Sequence, residues 1–311
     1  MIVFKEFVEN KKGITFESLE SQSIIVKIID GYTGLCSYQQ NMDINPNIIY
    51  YFVHPVDIYH RRFEIWDANH QTLLLKIDSV DYNSPNLQNL DKYGSLKNYK
   101  YHNPQDKDPA LSLYEIFVTK IYDKFFEIKE GDTVVDIGGN IGLFSYYSLC
   151  KGAKQVYCFE PSPLCYNSII ENLSFNNLKI EEAAVGSYDG EVTFNINPES
   201  SINSSIFYNS ENSKTITCKL INFNTYIKEN NILNIDYLKI DCEGAEYDII
   251  ESLDENYLTN NIQKICLEYH FNKNGKINTI LDKLKKCNFN ITFEYGDHQI
   301  NDELGIIYAY K

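Results

Sequence analysis

The chain has 311 residues, with 28 Lys and Arg against 43 Asp and Glu, a formal net charge of −15 and a pI near 4.8. That length suits two domains, with ample core to fold without disulfide or metal staples. Phosphate binding relies on Lys and Arg, so the acidity and the lack of any basic block argue against a nucleic-acid partner. Met1-Ile2-Val3-Phe4 runs straight into Lys5-Glu6, and no apolar run approaches transmembrane length, so neither a signal segment nor membrane insertion is expected. The eight cysteines are scattered without a C-x-x-C pair, which fits reduced thiols in a cytoplasmic protein.

Residues 1–80 read as an N-terminal β domain of short strands. Ser23–Ile29 and Ile48–Val53 are β-branched or aromatic runs bounded by turn residues, and Arg62–Trp66 and Thr72–Ile77 flank a hairpin loop at Asp67-Ala68-Asn69-His70. The pattern predicts a small antiparallel sandwich. Residues 81–109 are polar and punctuated by Pro85, Pro104 and Pro109, as in a linker. Its tyrosines (Tyr82, Tyr93, Tyr99 and Tyr101) suit one packed over a cleft. Pro109 opens a predicted helix to Phe126, with Leu113, Ile116, Phe117, Ile121 and Phe125 on one face.

From residue 110 to 311, strand and helix alternate, the mark of a mostly parallel α/β sheet. Core strands are expected near 133–138, 155–160, 180–185, 236–241 and 263–269. Helices are expected after Asn140 and over 163–175, 245–253 and 276–287. Residues 191–221 read as extra strands around a loop holding Ser204 and Ser205. The tail supplies an antiparallel pair, Ile291–Tyr295 with Ile306–Tyr310.

Val134-Val135-Asp136-Ile137-Gly138-Gly139-Asn140-Ile141-Gly142 carries a strand into a glycine turn, and Glu160 ends the next apolar run. Glycines 138, 139 and 142 permit positive φ and close backbone approach to a ligand. A dinucleotide turn needs G-x-G-x-x-G, but Asn140 fills the second glycine slot and Leu143 the third. A nicotinamide oxidoreductase is disfavoured on that ground. The stretch reads D-x-G-x-N-x-G, and it resembles the S-adenosylmethionine turn of class I methyltransferases.

A second strand, Tyr237-Leu238-Lys239-Ile240, ends in Asp241-Cys242-Glu243-Gly244-Ala245-Glu246. It resembles the K-I-D-x-E-G-x-E signature of the FkbM family of methyltransferases. The likeness extends to Phe159-Glu160-Pro161, Ala184-Val185-Gly186 and Leu267-Glu268-Tyr269-His270, in family order over roughly residues 110–310. The resemblance implies a class I, Rossmann-like doubly wound sheet that binds S-adenosylmethionine. Glu160 would hold the ribose hydroxyls, Asp136 and the turn (Gly138, Gly139, Asn140, Gly142) would surround the methionine part, and Ala184 would border the adenine. It also implies O-methylation, with a sugar hydroxyl, in a nucleotide sugar or glycan, as the favoured acceptor; a non-sugar metabolite is the alternative. Ser204 and Ser205 match a Ser-Ser element in the family's loop and are candidates for binding substrate.

Ligands of open α/β sheets lie beyond the carboxyl ends of the strands. Asp241, Glu243, Glu246, Glu268 and His270 should therefore surround the acceptor. A hydroxyl is a poor nucleophile at neutral pH and needs a base or a metal. Either His270 or Asp241 takes its proton, or Asp241, Glu268 and His270 hold a divalent cation that acidifies it. Glu243 has a competing role as a helix cap, and Glu246, in the first helical turn, competes as a hydrogen-bonding structural group. Cys242, flanked by carboxylates, is not expected to be a nucleophile. His54, His60, His70, His102 and His298 lack a comparable setting. A catalytically inactive scaffold with this fold is the other reading, and the intact acids count against it. The N-terminal β domain would bind glycan, buttress the cleft or mediate a homo-oligomer.

Overall fold

The chain folds as two compact units, residues 1–99 with 107–119, and residues 100–106 with 120–311. The computed structural model describes residues 114–197, 214–270, 277–295 and 304–311, residue 112, and nearer the N-terminus 2–8, 13–18, 21–30, 36–44, 49–53, 61–67, 69, 71 and 73–78. The linker at 81–109, the loop with Ser204 and Ser205, and the five histidines other than His270 lie outside the described residues.

In the first unit, β-branched and aromatic runs form β1 (Ile2–Val8), β2 (Gly13–Ser18), β3 (Gln22–Asp30), β4 (Cys36–Ile44), β5 (Ile49–Val53), β6 (Arg61–Asp67) and β7 (Leu73–Asp78). They make two antiparallel sheets, β1-β2-β5 and β4-β3-β6-β7. Ile24, Ile25 and Val26 in β3 are all buried, and since successive side chains of a strand point to opposite faces, both faces of β3 are covered there. The expected hairpin is β6–β7, and the Asp67 carboxylate accepts the Gln71 N–H at 2.8 Å inside its loop. The helix expected to reach Phe126 is not formed as one element. Tyr114–Thr119 is a π-helix, Lys120 turns left-handed at φ 54°, and Ile121–Asp123 is a single 3₁₀ turn. A non-glycine residue in that conformation ends the helical path.

In the second unit, seven strands form one sheet: β8 (Thr133–Ile137), β9 (Gln155–Phe159), β10 (Leu178–Glu181), β14 (Tyr237–Ile240), β15 (Lys264–His270), β16 (Asn290–Tyr295) and β17 (Leu304–Tyr310). Their spatial order is β10-β9-β8-β14-β15-β17-β16. Counted within this sheet it is 3-2-1-4-5-7-6, with the last strand, β17, antiparallel to both its neighbours. That is the expected class I methyltransferase architecture. The order reverses at β8, between β9 and β14, which sets the ligand crevice at the carboxyl ends of these strands.

Central strands buried on both faces read as continuous apolar runs. Val134, Val135, Leu238 and Ile240 are completely buried, and Lys239 alone interrupts the run in β14. Helices cover both faces: α1 (Leu143–Cys150), α2 (Pro163–Asn172), α3 (Phe223–Glu229), α4 (Glu246–Ser252), α5 (Glu255–Asn261) and α6 (Ile277–Lys286). On one face Leu238, Ile240, Ile265 and Leu267 share a core with Ile249 and Ile250 of α4 and Ile280 and Leu284 of α6. On the other, Phe144 of α1 lies against Tyr237, ring centroids 5.6 Å apart. The third core strand ends at Glu181, short of the expected 185. Ala184–Gly186 is instead a separate strand, β11, in a second sheet with β12 (Gly190–Ile196) and β13 (Lys214–Asn222), in the order β11-β13-β12. Among the described residues no helix is long and apolar enough to cross a membrane.

Candidate functional site

The turn after β8 is shaped by what lies behind it. Gly138 has φ 80°, and a Cβ there would meet the Asp241 carbonyl oxygen at 1.7 Å; at Gly139 it would meet Cys158 Sγ at 2.3 Å. The space a side chain would need at these two glycines is filled by Asp241, just beyond β14, and by Cys158 of β9, and Gly138 takes the positive φ that the sequence predicts. The Asp241 N–H closes the same approach by donating to the Ile137 carbonyl at 3.0 Å. The left-handed Asn140 (φ 47°) and Gly142 (φ 85°) complete the turn into α1.

Glu160, just beyond β9, is bound into that turn. One carboxylate oxygen accepts the Asn140 N–H at 2.7 Å and the other the Ser162 N–H at 2.7 Å. Burial pushes its pKa up to about 8, against the two N–H donors, which favour the ionised form. Each oxygen keeps a lone pair for a further donor. Asp136 lies deeper, with no exposed surface: Ser145 Oγ donates to one oxygen at 2.7 Å and Lys239 Nζ lies 3.2 Å from the other. It thus orders the turn from below and does not reach the crevice surface. Ala184 is buried on β11, next to β13. Cys218 of β13 has its thiol pushed up by burial, against a lowering hydrogen bond with the Ala184 backbone, and the Glu160 charge adds to the rise.

Two residues that the sequence did not single out tie the halves together. Lys239 Nζ donates to the Gly138 carbonyl at 2.6 Å and lies 3.5 Å from Asp241 Oδ2, as well as pairing with Asp136. Burial opposes its charge, but Asp136 and Asp241 outweigh burial and hold it protonated. The aromatic rings of Tyr122 and Phe144 lie 5.5 and 5.9 Å from Nζ. Tyr122 also donates its hydroxyl to Asp241 Oδ2 at 3.0 Å, and its carbonyl accepts from Tyr237. The signal in the sequence for Lys239 is a lone cation within an apolar strand. Tyr122 carries no such signal, because its partner lies 119 positions away.

At the ends of β14 and β15 the acids gather around one imidazole. His270 Nδ1 lies 3.1 Å from Glu246 Oε1, and Nε2 lies 3.4 Å from Glu243 Oε1. Burial works against the imidazolium, yet the bond to Glu246 and the charges of Glu243, Glu246 and Asp241 push its pKa up to about 10. Glu246 has no exposed surface, and its Oε1 also accepts the N–H groups of Cys242 (3.1 Å) and Gly244 (3.0 Å). The backbone-binding role considered for Glu243 thus belongs to Glu246. Glu246 lies beneath the site, and its expected contact with substrate is corrected accordingly. Glu243 is left-handed (φ 59°), with its carboxylate facing His270. Burial first, then Glu246 and Asp241, push the Cys242 thiol well up, which disfavours the thiolate.

Asp241, Glu243 and His270 offer ligand atoms all within 4.8 Å of one another. Glu268, although two residues before His270 on β15, does not belong to this group. The expected trio of Asp241, Glu268 and His270 is therefore corrected: the left-handed turn brings Glu243 to the place assigned to Glu268.

Residues 136–291 match the family model described as the methyltransferase FkbM domain. Methyltransferase 1 of Beauveria bassiana is 25% identical over 196 residues, covering 53% of this chain and 77% of the relative. Methyltransferase sdnD of Sordaria araneosa is 26% identical over 186 residues, covering 49% and 71%. A crystal structure of methyltransferase FkbM from Methylobacillus flagellatus aligns at a TM-score of 0.39 and 11% identity, covering 74% of this chain and 61% of that one.

Proposed function

Because the chain belongs to the FkbM methyltransferase family, we propose that it moves a methyl group from S-adenosylmethionine to a hydroxyl oxygen, with a sugar hydroxyl as the acceptor. The observation that carries the cofactor assignment is Glu160 at the strand-order switch, bound to the turn yet keeping acceptor capacity for two ribose hydroxyls. Gly138 to Gly142 would hold the methionine part through backbone groups, and Ala184 would border the adenine. S-adenosylmethionine supplies a methyl group already activated on a sulfonium.

What remains for the protein is alignment of the acceptor and removal of its proton. Of the two candidate bases, Asp241 fits better. His270 has Nδ1 committed to Glu246 and Nε2 turned toward Glu243, whereas Asp241 stands partly exposed at the end of β14. The Asp241 carboxylate would take the hydroxyl proton as the acceptor oxygen is methylated. Tyr122 and Lys239 fix that carboxylate from behind. The surrounding carboxylates also suit a cationic donor. The sugar class rests on the family resemblance.

The test is incubation with S-adenosylmethionine and a panel of nucleotide sugars and oligosaccharides, read by mass spectrometry. A gain of one methylene on a sugar oxygen supports the proposal. Transfer confined to nitrogen or sulfur acceptors would overturn it.

A further inference from the structure

The geometry points to a divalent-cation site formed by Asp241, Glu243 and His270, with Glu246 as the outer carboxylate that orients the imidazole. Three observations converge on it. The first is spacing. Ligand atoms about 2.1 Å from a metal lie about 3.0 Å apart across an octahedral edge and about 3.4 Å apart across a tetrahedral one. His270 Nε2 and Glu243 Oε1 are 3.4 Å apart, in that range, and Asp241 stands close by, one ligand atom from each of the three residues lying within 4.8 Å of the others.

The second is the orientation of the ring. Metal-bound histidines usually give their other N–H to a carboxylate, which fixes the tautomer and aims the lone pair. Here Nδ1 meets Glu246 Oε1 at 3.1 Å, and Nε2 is the nitrogen turned toward Glu243. The third is Glu246 itself. It has no exposed surface and is braced by the Cys242 and Gly244 N–H groups, and its Oε2 is buried without a hydrogen-bond partner among the described residues. A buried carboxylate normally has its oxygens answered, and a divalent ion bound at Nε2 in place of the imidazolium proton adds positive charge against the carboxylates gathered here.

One imidazole with two carboxylates suits a first-row divalent ion such as Mn²⁺ or Zn²⁺ better than Ca²⁺, which takes more oxygen ligands. The site lies at the ends of β14 and β15, where the proposed function puts the acceptor. Coordination of the acceptor hydroxyl there would lower its pKa, the proton leaving to the Asp241 oxygen that does not ligate the ion. The inference extends the methyl-transfer reading, but its test measures metal binding without turnover, so either can fail alone.

The experiment is calorimetric titration of the chelator-treated full chain with MnCl₂. Alongside it, the electron spin-echo modulation of bound Mn²⁺ is recorded for nitrogen. One saturable site per chain is expected, with nitrogen modulation from a single imidazole. His270→Ala and Glu243→Gln should abolish it, Glu246→Gln should weaken it by about 10–100-fold, and Glu268→Gln should leave it intact. S-adenosylhomocysteine binding, measured on each variant, confirms that the fold persists and reports separately on the cofactor reading. Absence of a saturable site in the wild-type chain, absence of nitrogen modulation, or equal affinity in His270→Ala would overturn the inference.

Discussion

At the tips of β8 and β9, Glu160 is answered by backbone N–H groups and Asp136 by Ser145 and Lys239, whereas at the tips of β14 and β15 three carboxylates converge on one imidazole. The first region is built by the path of the chain: Gly138 and Gly139 are glycines because β14 and β9 press against them. The second is built by side chains on a fixed turn. Changes in the first should therefore disturb fold and cofactor together, while changes in the second should alter chemistry and spare the cofactor.

The sharpest way to break this contrast is Gly138→Ala. Its Cβ would meet a backbone oxygen at 1.7 Å, so a loss of about 4 kcal/mol or more is expected in urea denaturation. Gly131→Ala is its control: the conformation is also left-handed (φ 90°) but nothing lies within 4 Å, so strain alone, about 1–2 kcal/mol, is expected. Equal losses would show that crowding by β14 does not shape the turn.

Next in size is Asp241→Asn. Removing a general base should lower kcat by about 10²–10⁴-fold, with affinity for S-adenosylhomocysteine retained in calorimetry. A parallel collapse of cofactor affinity would merge the two regions into one.

A smaller effect separates them by pH. Burial holds Glu160 up to about 8, from its ordinary 4.5. Across that window the folded protein keeps a proton that the unfolded chain has released, so this group's contribution to stability falls as pH rises and levels off above it. Urea midpoints of the wild type should decline against those of Glu160→Gln from about pH 5 to about pH 8. Parallel profiles would mean that Glu160 is ionised throughout.

The smallest is Tyr122→Phe, which removes one hydrogen bond to Asp241. A fall in kcat of about 3–10-fold is expected, with KM little changed. An unchanged kcat would show that Asp241 needs no support from that side.

The contrast also explains what could be read in advance. The cofactor half was legible because its strands are continuous apolar runs and its turn needs glycine, both local properties of the sequence. The acceptor half depends on a left-handed Glu243 and on which of several nearby acids faces His270. Spacing along β15 favoured Glu268, and only the turn geometry replaces it with Glu243. Ala184 was assigned to the third core strand, but the chain leaves the main sheet after Glu181. Lys239 stood inside the recognised motif without an assigned role, since its partners Asp136 and the Gly138 carbonyl are about a hundred residues away. Tyr122 lay in a stretch read as plain helix, which the left-handed Lys120 interrupts.

The most direct measurement is calorimetric titration of the wild-type chain, Glu160→Ala and Asp241→Asn with S-adenosylhomocysteine. Saturable binding in the wild type and in Asp241→Asn, lost in Glu160→Ala, is the predicted result. Binding that survives Glu160→Ala unchanged, or no binding by the wild type, would contradict a cofactor site at the tips of β8 and β9.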